Sequence, residues 1–270
     1  WTVDFKGWWR TRDGSRCEPL TVRDAFSRLV LTVTLVGTTA LATVRQVFER
    51  LFQQYGLPAT IHVDNGPPFG CVRARCGLTK LSAWWLAVGV KVAFSRPAHP
   101  EDNGAHERMH EDMRFDLEDV SADDLVAQQA ACDLWVHEFN QVRPHEAIDM
   151  RTPAELYVRS TRPYRGARTA RYPTGYDVRK VKAGGVAIYE GQRVFIGNGF
   201  AGYIVGFQRL ASTVLRGWFY EQDLGLFELP KLAASNAAAT STKSVAVTQK
   251  VRKPVTSSPP PGRKKTRRPA

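Results

Sequence analysis

The chain has 270 residues, 43% of them hydrophobic, enough for one medium domain and a smaller one. It contains no run of about 18 apolar residues, so no helical membrane span is read, and no signal peptide opens it. The net charge is +12, and nine Lys and Arg residues fall between Leu232 and Ala270 with no Asp or Glu among them, which suits the tail to polyanions, above all nucleic acid.

Four cysteines, Cys17, Cys71, Cys76 and Cys132, form neither a CxxC motif nor a disulfide framework. They read as loop or core thiols in a reducing, intracellular setting. Trp1 in place of Met reads as the start of a fragment or trimmed product.

In chain order, Trp1, Val3 and Phe5 alternate on one face of a first strand and Asp4 lies on the other. Asp13-Gly14 signals a hairpin turn. The β-branched run Leu29 to Val36 completes an antiparallel start to a sheet. From Ala40 to Tyr55 the period becomes helical, with Val44, Val47, Phe48, Leu51 and Phe52 on one side, and Gly56 and Pro58 end it. A strand follows from Ala59 to Asp64, with His62 and Asp64 on one face, stopped by Asn65-Gly66-Pro67-Pro68. An acidic residue at the C-terminal edge of a strand that follows a helix is where α/β sheets bind ligands. A short helix over Leu81–Val88, a strand over Val90–Phe94 and a rigid loop at Pro97 and Pro100 come next. Two helices are then expected, from near Asp102 to about Asp119 and from about Ala122 to Asn140.

Residues 161–175 read as a linker between a core over 1–160 and a small all-β barrel over 176–230. The barrel is read from short strands split by glycines, such as Arg193-Val194-Phe195-Ile196 and Gly217-Trp218-Phe219-Tyr220. Residues 231–270 are rich in Ala, Ser, Thr, Pro and Lys, the composition of a disordered basic tail.

Asp4, Asp64 and Glu107 stand out because each carboxylate sits on a rigid element, two on strands and one in the first turns of a helix. Three such groups suit one or two hard divalent cations, Mg²⁺ or Mn²⁺, which prefer oxygen ligands. A two-metal site of that kind serves phosphodiester displacement. Singly, Asp4 reads equally as a strand-end turn residue and Asp64 as a cap on the Asn65-Gly66 turn.

The segments resemble the integrase and transposase catalytic core with its Asp-Asp-Glu triad, and most sharply the insertion-sequence transposases of that superfamily. The marks are Asp4-Phe5-Lys6-Gly7, Asp64-Asn65-Gly66-Pro67, Arg96-Pro97, Asn103-Gly104-Ala105-His106-Glu107-Arg108, Asn140 with Arg143-Pro144-His145, and Thr152-Pro153-Ala154-Glu155. They run from Trp1 to about Tyr157. The resemblance implies an α/β fold with a ribonuclease-H-like mixed sheet flanked by helices, and a catalytic triad Asp4, Asp64 and Glu107 that holds Mg²⁺ or Mn²⁺, two ions in all. It implies DNA strand cleavage and strand transfer on transposon ends and target DNA, by a homo-oligomer in the bacterial cytoplasm at the nucleoid, with accessory transposition proteins as possible partners. Arg108 is a candidate DNA contact, as are Lys264, Lys265, Arg267 and Arg268 in the tail. His62 and His106 are weighed as neighbours of the site and as uninvolved imidazoles.

Two departures stand beside the resemblance. Between Asp64 and Glu107 lie 42 residues, more than the family's usual spacing, which fits an insertion around Gly70 to Lys80. The helix-turn-helix usual at the start of these transposases is missing and is expected ahead of Trp1.

Two other readings compete. A protein that keeps the fold and binds DNA without chemistry would carry the same pattern. His106-Glu107-Arg108-Met109-His110 also matches the zinc-protease H-E-x-x-H motif. There the third ligand fails at Met113 and Asp116, leaving Glu138 as a conceivable one, and Arg108 puts a charge where zinc proteases usually keep none. Met109, Met113 and Leu117 form an apolar stripe beside the face of Glu107, Glu111 and Arg114. Arg143-Pro144-His145 has no assignable chemistry and reads by default as structural capping.

Overall fold

A computed structural model describes residues 1–96, 99 and 104–230. Pro97, Pro100, the expected helix start at Asp102 and Asn103, and the whole basic tail lie outside the described residues. The remainder is one compact unit.

Its centre is a five-stranded mixed sheet of β1 (Thr2–Phe5), β4 (Pro19–Arg23), β5 (Val30–Leu35), β6 (Thr60–Val63) and β7 (Lys91–Phe94), in the order β5-β4-β1-β6-β7. β5, β4 and β1 are antiparallel, and β1, β6 and β7 are parallel. This is the mixed sheet expected of a ribonuclease-H-like core. The Asp13-Gly14 turn belongs to a side hairpin, β2 (Trp9–Arg10) with β3 (Arg16–Cys17).

Helices cover both faces. α1 (Leu41–Tyr55) buries Val44, Val47, Phe48, Leu51 and Phe52, the stripe its period requires, against Val3, Leu20, Val22 and Ile61 of the sheet. Behind the other face lie α3 (Gly104–Met113), which widens into a π turn over Arg114–Glu118, and α4 (Leu125–Gln141). Met109, Met113 and Leu117 pack there with Val30, Val33, Cys132, Trp135 and Phe139. A short α5 (Pro153–Leu156) follows, its first turn closed by Thr152 N–H donating to Glu155 at 2.8 Å.

α2 (Lys80–Val88) is buried at every position from Leu81 to Val88. A helix apolar all round must be enclosed. Leu81, Trp84, Trp85 and Val88 join the core under the main sheet, while Ala83, Leu86 and Ala87 join a second core with the C-terminal strands. Those strands are β8 (Asp177–Lys180), β9 (Val186–Tyr189), β10 (Gln192–Phe195), β11 (Ile204–Ala211), β12 (Val214–Phe219) and β13 (Gln222–Glu228). They form a four-stranded antiparallel sheet, β13-β12-β11-β8, and a two-stranded one, β10-β9, around one core. The strands β8 and β13 escaped the sequence reading because charged and glycine residues interrupt their alternation.

The 161–175 segment is held down along its length. Arg162 donates to the carbonyls of Pro58 and Gly89, and the Arg168 guanidinium pairs with Glu221 at 2.9 Å and donates to Leu86 O. Tyr172 Oη donates to Ile204 O at 3.0 Å. The 70–80 segment also docks on the C-terminal sheet: Arg75 lies 3.9 Å from the Phe227 ring centre and donates to Leu224 O at 2.8 Å. No helix among the described residues is long and apolar enough to cross a membrane.

The edge of β5 is closed by side chains of α4. Asn140 accepts from Val30 N–H and donates to Val30 O, both at 2.8 Å, and Gln129 accepts from Leu35 N–H and donates to Val33 O, also at 2.8 Å. Two amides thus stand in for a further strand at an edge open to pairing. Asn140→Ala leaves a buried N–H and a buried C=O without partners and is expected to lower the unfolding free energy by about 2–4 kcal/mol, read by urea denaturation with an unchanged slope.

Candidate active site

β1 and β6 are parallel neighbours, and Thr2 pairs with His62. Asp4 stands two residues further along β1, and Asp64 directly follows the last residue of β6. Side chains alternate along a strand, so both carboxylates lie on one face of the sheet at one level. The opposite face carries Val3, Ile61 and Val63 into the core with α1. The local chemistry holds both ends in place. Phe5 N–H donates to Asp4 Oδ1 at 2.8 Å. Asp64 Oδ1 accepts from Gly66 N–H at 3.2 Å, and Asn65 Nδ2 donates to Ser95 O at 2.8 Å. The turn reading of Asp64 is thus realised, and it fixes the carboxylate at the end of β6.

α3 lies on this same face, anchored by β4. Thr21, the cross-strand partner of Asp4, donates its hydroxyl proton to Asp4 O at 2.9 Å. The same oxygen is 2.8 Å from His106 Nε2 and 2.9 Å from His110 Nε2. A hydroxyl has one proton and two lone pairs. Because that proton goes to a carbonyl, both imidazoles donate from Nε2 and hold their lone pairs on Nδ1. Burial pushes the His106 pKa well below its ordinary value and that of His110 down to about 4, so both rings are neutral at pH 7.

This arrangement weighs against the zinc-protease reading, because the Nε2 atoms of both rings are turned to Thr21 and, among the described residues, neither ring joins a group of three metal-ligating side chains. A shared zinc needs a lone pair from each imidazole, and both Nε2 atoms are engaged with Thr21. The conceivable third ligand Glu138 is exposed on α4. The role of Thr21 was invisible in the sequence, where it is one Thr in an apolar strand.

Glu107 occupies the first turn of α3 and is exposed, as is Arg108. Two carboxylates at one level of adjacent strands are the oxygen donors that Mg²⁺ or Mn²⁺ prefers, and in that respect Asp4 and Asp64 fit a hard divalent cation. Among the described residues, no three His, Cys, Asp or Glu side chains gather into a group able to hold a metal ion, and the thiols of Cys71 and Cys76 join none. Lys264, Lys265, Arg267 and Arg268 lie outside the described residues.

The Arg143-Pro144-His145 segment now has a structural account. Arg143 donates to Asp116 at 2.9 Å and lies 3.6 Å from Asp112, on the helix that carries Glu107. Trp135 Nε1 donates to the same Asp116 oxygen at 2.9 Å. His145 sits against Phe139, ring centres 4.4 Å apart. Lys6, nearly buried, pairs with Glu118 one turn beyond. Both ends of the α3 element are therefore tied down.

The depressed pKa of His110 has a stability consequence. Between about pH 6.5 and pH 4 the unfolded chain binds a proton at this ring that the folded chain refuses. Folding stability is then fully present above pH 6.5 and falls as the pH drops toward 4, by about 3 kcal/mol from this residue alone. Urea titrations across that range measure it, and His110→Gln, which keeps a donor toward Thr21, is expected to flatten the profile.

Comparison with known proteins places the chain in a family. A family model described as integrase core domain matches residues 1–100, and a second of the same description matches residues 88–153. Together they span more than half of the chain. The insertion element IS407 uncharacterized 31.7 kDa protein of Burkholderia multivorans is 26% identical over 157 residues, covering 58% of this chain and 54% of that protein. The insertion element IS136 uncharacterized protein of Agrobacterium tumefaciens is 27% identical over 142 residues, 49% of this chain and 69% of that protein. The chain thus spans about half to two thirds of the length of these curated relatives. Among solved structures, the catalytic core domain of BIV integrase matches 58% of this chain and 91% of its own at 23% identity, with a TM-score of 0.43. With integrase core models matching in order across residues 1–153, the chain belongs to the integrase core family.

Proposed function

We propose that the chain is the catalytic part of a DNA transposase that cuts DNA strands at an element's ends and joins them to target DNA. The observation that carries this reading is the placement of Asp4 and Asp64 at one level and on one face of adjacent parallel strands, with the Glu107 helix laid on that face. Asp4 and Asp64 would hold divalent metal, with Glu107 completing the set. Bound there, Mg²⁺ or Mn²⁺, two ions in all, would supply activation of a water or a 3′-hydroxyl and charge stabilisation of the leaving oxygen. The protein's own part is alignment. Neutral His106 and His110 hold α3 to the sheet through Thr21 without adding positive charge beside the carboxylates. Lys6 is neutralised by Glu118, and Arg108, exposed one residue from Glu107, would contact backbone phosphate. The basic tail would add sequence-independent affinity for DNA. Joining two element ends calls for a homo-oligomer on DNA.

The test is strand transfer of a labelled, pre-cut DNA end with Mg²⁺ or Mn²⁺. Joining is expected to depend on the metal and to fall by more than about 100-fold in Glu107→Gln and in Asp64→Asn, since even residues that only support metal ligands cost 10–100-fold. Equal joining by either variant would overturn the assignment of that residue.

A binding-only protein is the second reading, favoured by Glu107 being exposed and, among the described residues, joining no three-ligand cluster. DNA binding that survives Asp64→Asn, with no cleavage by either protein under conditions where the chain is folded, would establish that reading instead.

The tail makes a separate prediction. Truncation after Lys231 is expected to make the salt dependence of DNA binding shallower, by about 0.9 in the log–log slope for each phosphate that the tail neutralises in the intact chain. Binding titrations from low to moderate salt measure it, and an unchanged slope would remove the tail from the interface.

A further inference from the structure

Among the described residues, eight buried side-chain nitrogen or oxygen atoms have no hydrogen-bond partner. Four are indole N–H groups and one is a Gln oxygen. The other three, Thr2 Oγ1, Arg23 Nε and His106 Nδ1, belong to residues that line a single cavity of about 350 Å³, together with His62 and Ala105. Buried polar atoms without partners are few in folded proteins, and three around one space call for an occupant.

Arg23 defines the chemistry of that occupant. It is 3% exposed. Its guanidinium donates to Ala105 O, and among the described residues no carboxylate lies within ion-pair distance of it. The neighbouring Asp24 carboxylate is taken by Ser27 N–H and Ser27 Oγ, each at 2.8 Å. Burial pulls the Arg23 pKa to about 10, which still leaves it charged at neutral pH. A buried charge without a partner is strongly unfavourable, and an anion in the cavity relieves it. The guanidinium fork matches phosphate oxygens.

The other two atoms refine the ligand. Thr2 offers a hydroxyl. His106 spends its Nε2–H on Thr21, so its Nδ1 is an acceptor and needs a donor. A hydrogen phosphate group satisfies all three at once, with P–O⁻ oxygens toward Arg23 and Thr2 and a P–OH toward His106. The cavity lies on the sheet face of Asp4 and Asp64, at the Thr2–His62 pair one step earlier on both strands.

We propose that this cavity is a phosphate-binding pocket, built for inorganic phosphate or for a terminal phosphate monoester of a nucleic acid. The proposal stands on the pocket's own residues and does not depend on strand transfer.

The experiment follows the unfolding midpoint of the full chain against inorganic phosphate, at constant ionic strength set with chloride. The wild type is expected to show a saturable rise of about 5–10 °C at a hundredfold excess over Kd. Arg23→Gln is expected to abolish the rise, and Thr2→Val, which keeps shape and loses the hydroxyl, to shift it to higher phosphate. Should Arg23→Gln fail to fold, Thr2→Val alone decides. No rise beyond the chloride control, or an undiminished rise in the folded variants, would overturn the pocket. Competition by a short single-stranded DNA bearing a 5′-phosphate, against the same DNA with a 5′-hydroxyl, separates the two sources. Stronger competition by the phosphorylated strand assigns a DNA end, and equal competition assigns free phosphate. The basic tail is common to all these proteins and cancels. Asp64→Asn is expected to keep the phosphate response while losing strand transfer, so failure of one reading leaves the other standing.

Discussion

The parallel pairing of β1 with β6 is the constraint from which the rest of the molecule follows. Parallel neighbours cannot be joined by a tight turn, so the chain must travel away and cross back. It does so through β4, β5 and α1, and the crossover covers one face of the sheet with the apolar stripe of α1. The pairing of Thr2 with His62 then leaves Asp4 and Asp64 side by side on the other face. A slip of one residue in either strand would send one carboxylate into the core among Val3, Ile61 and Val63. Register here is thus enforced by the same burial that stabilises the sheet.

The second face is organised around α3, and its attachments differ in kind along its length. Near Glu107 the helix is fixed by polar contacts through Thr21 and Arg23. Further on, Met109, Met113 and Leu117 supply apolar packing. At its far end Arg143 and Lys6 add ion pairs to Asp116 and Glu118. The two histidines of the H-E-x-x-H pattern are consumed by this attachment. A motif that signals zinc in isolation here serves to seat a helix, because a single hydroxyl on β4 bonds the Nε2 atom of each ring.

α2 does for the whole chain what β1–β6 does for the site. With one side in the core of the mixed sheet and the other in that of the C-terminal strands, it makes the two sheets share a wall. Arg162, Arg168 and Tyr172 reinforce the junction from the intervening segment, and Arg75 does so from the 70–80 segment.

By itself the sequence determined the elements whose pattern is strong. The stripe of α1, the β-branched run of β5 and the all-apolar Leu81–Val88 each obey a period that local burial enforces, and the ordered motifs around Asp4, Asp64 and Glu107 pointed to the integrase core. Periodicity says which face of an element is buried, but not what lies against it. Only the tertiary structure decided that Thr21 meets His106 and His110 across 85 and 89 residues of chain, that Asn140 closes the edge of β5, and that Arg143 grips the helix of Glu107. It alone brought Thr2, Arg23 and His106 around one cavity. Hydrogen bonds between polar side chains distant in sequence leave no periodic trace, because each depends on the meeting of two surfaces that the chain builds separately.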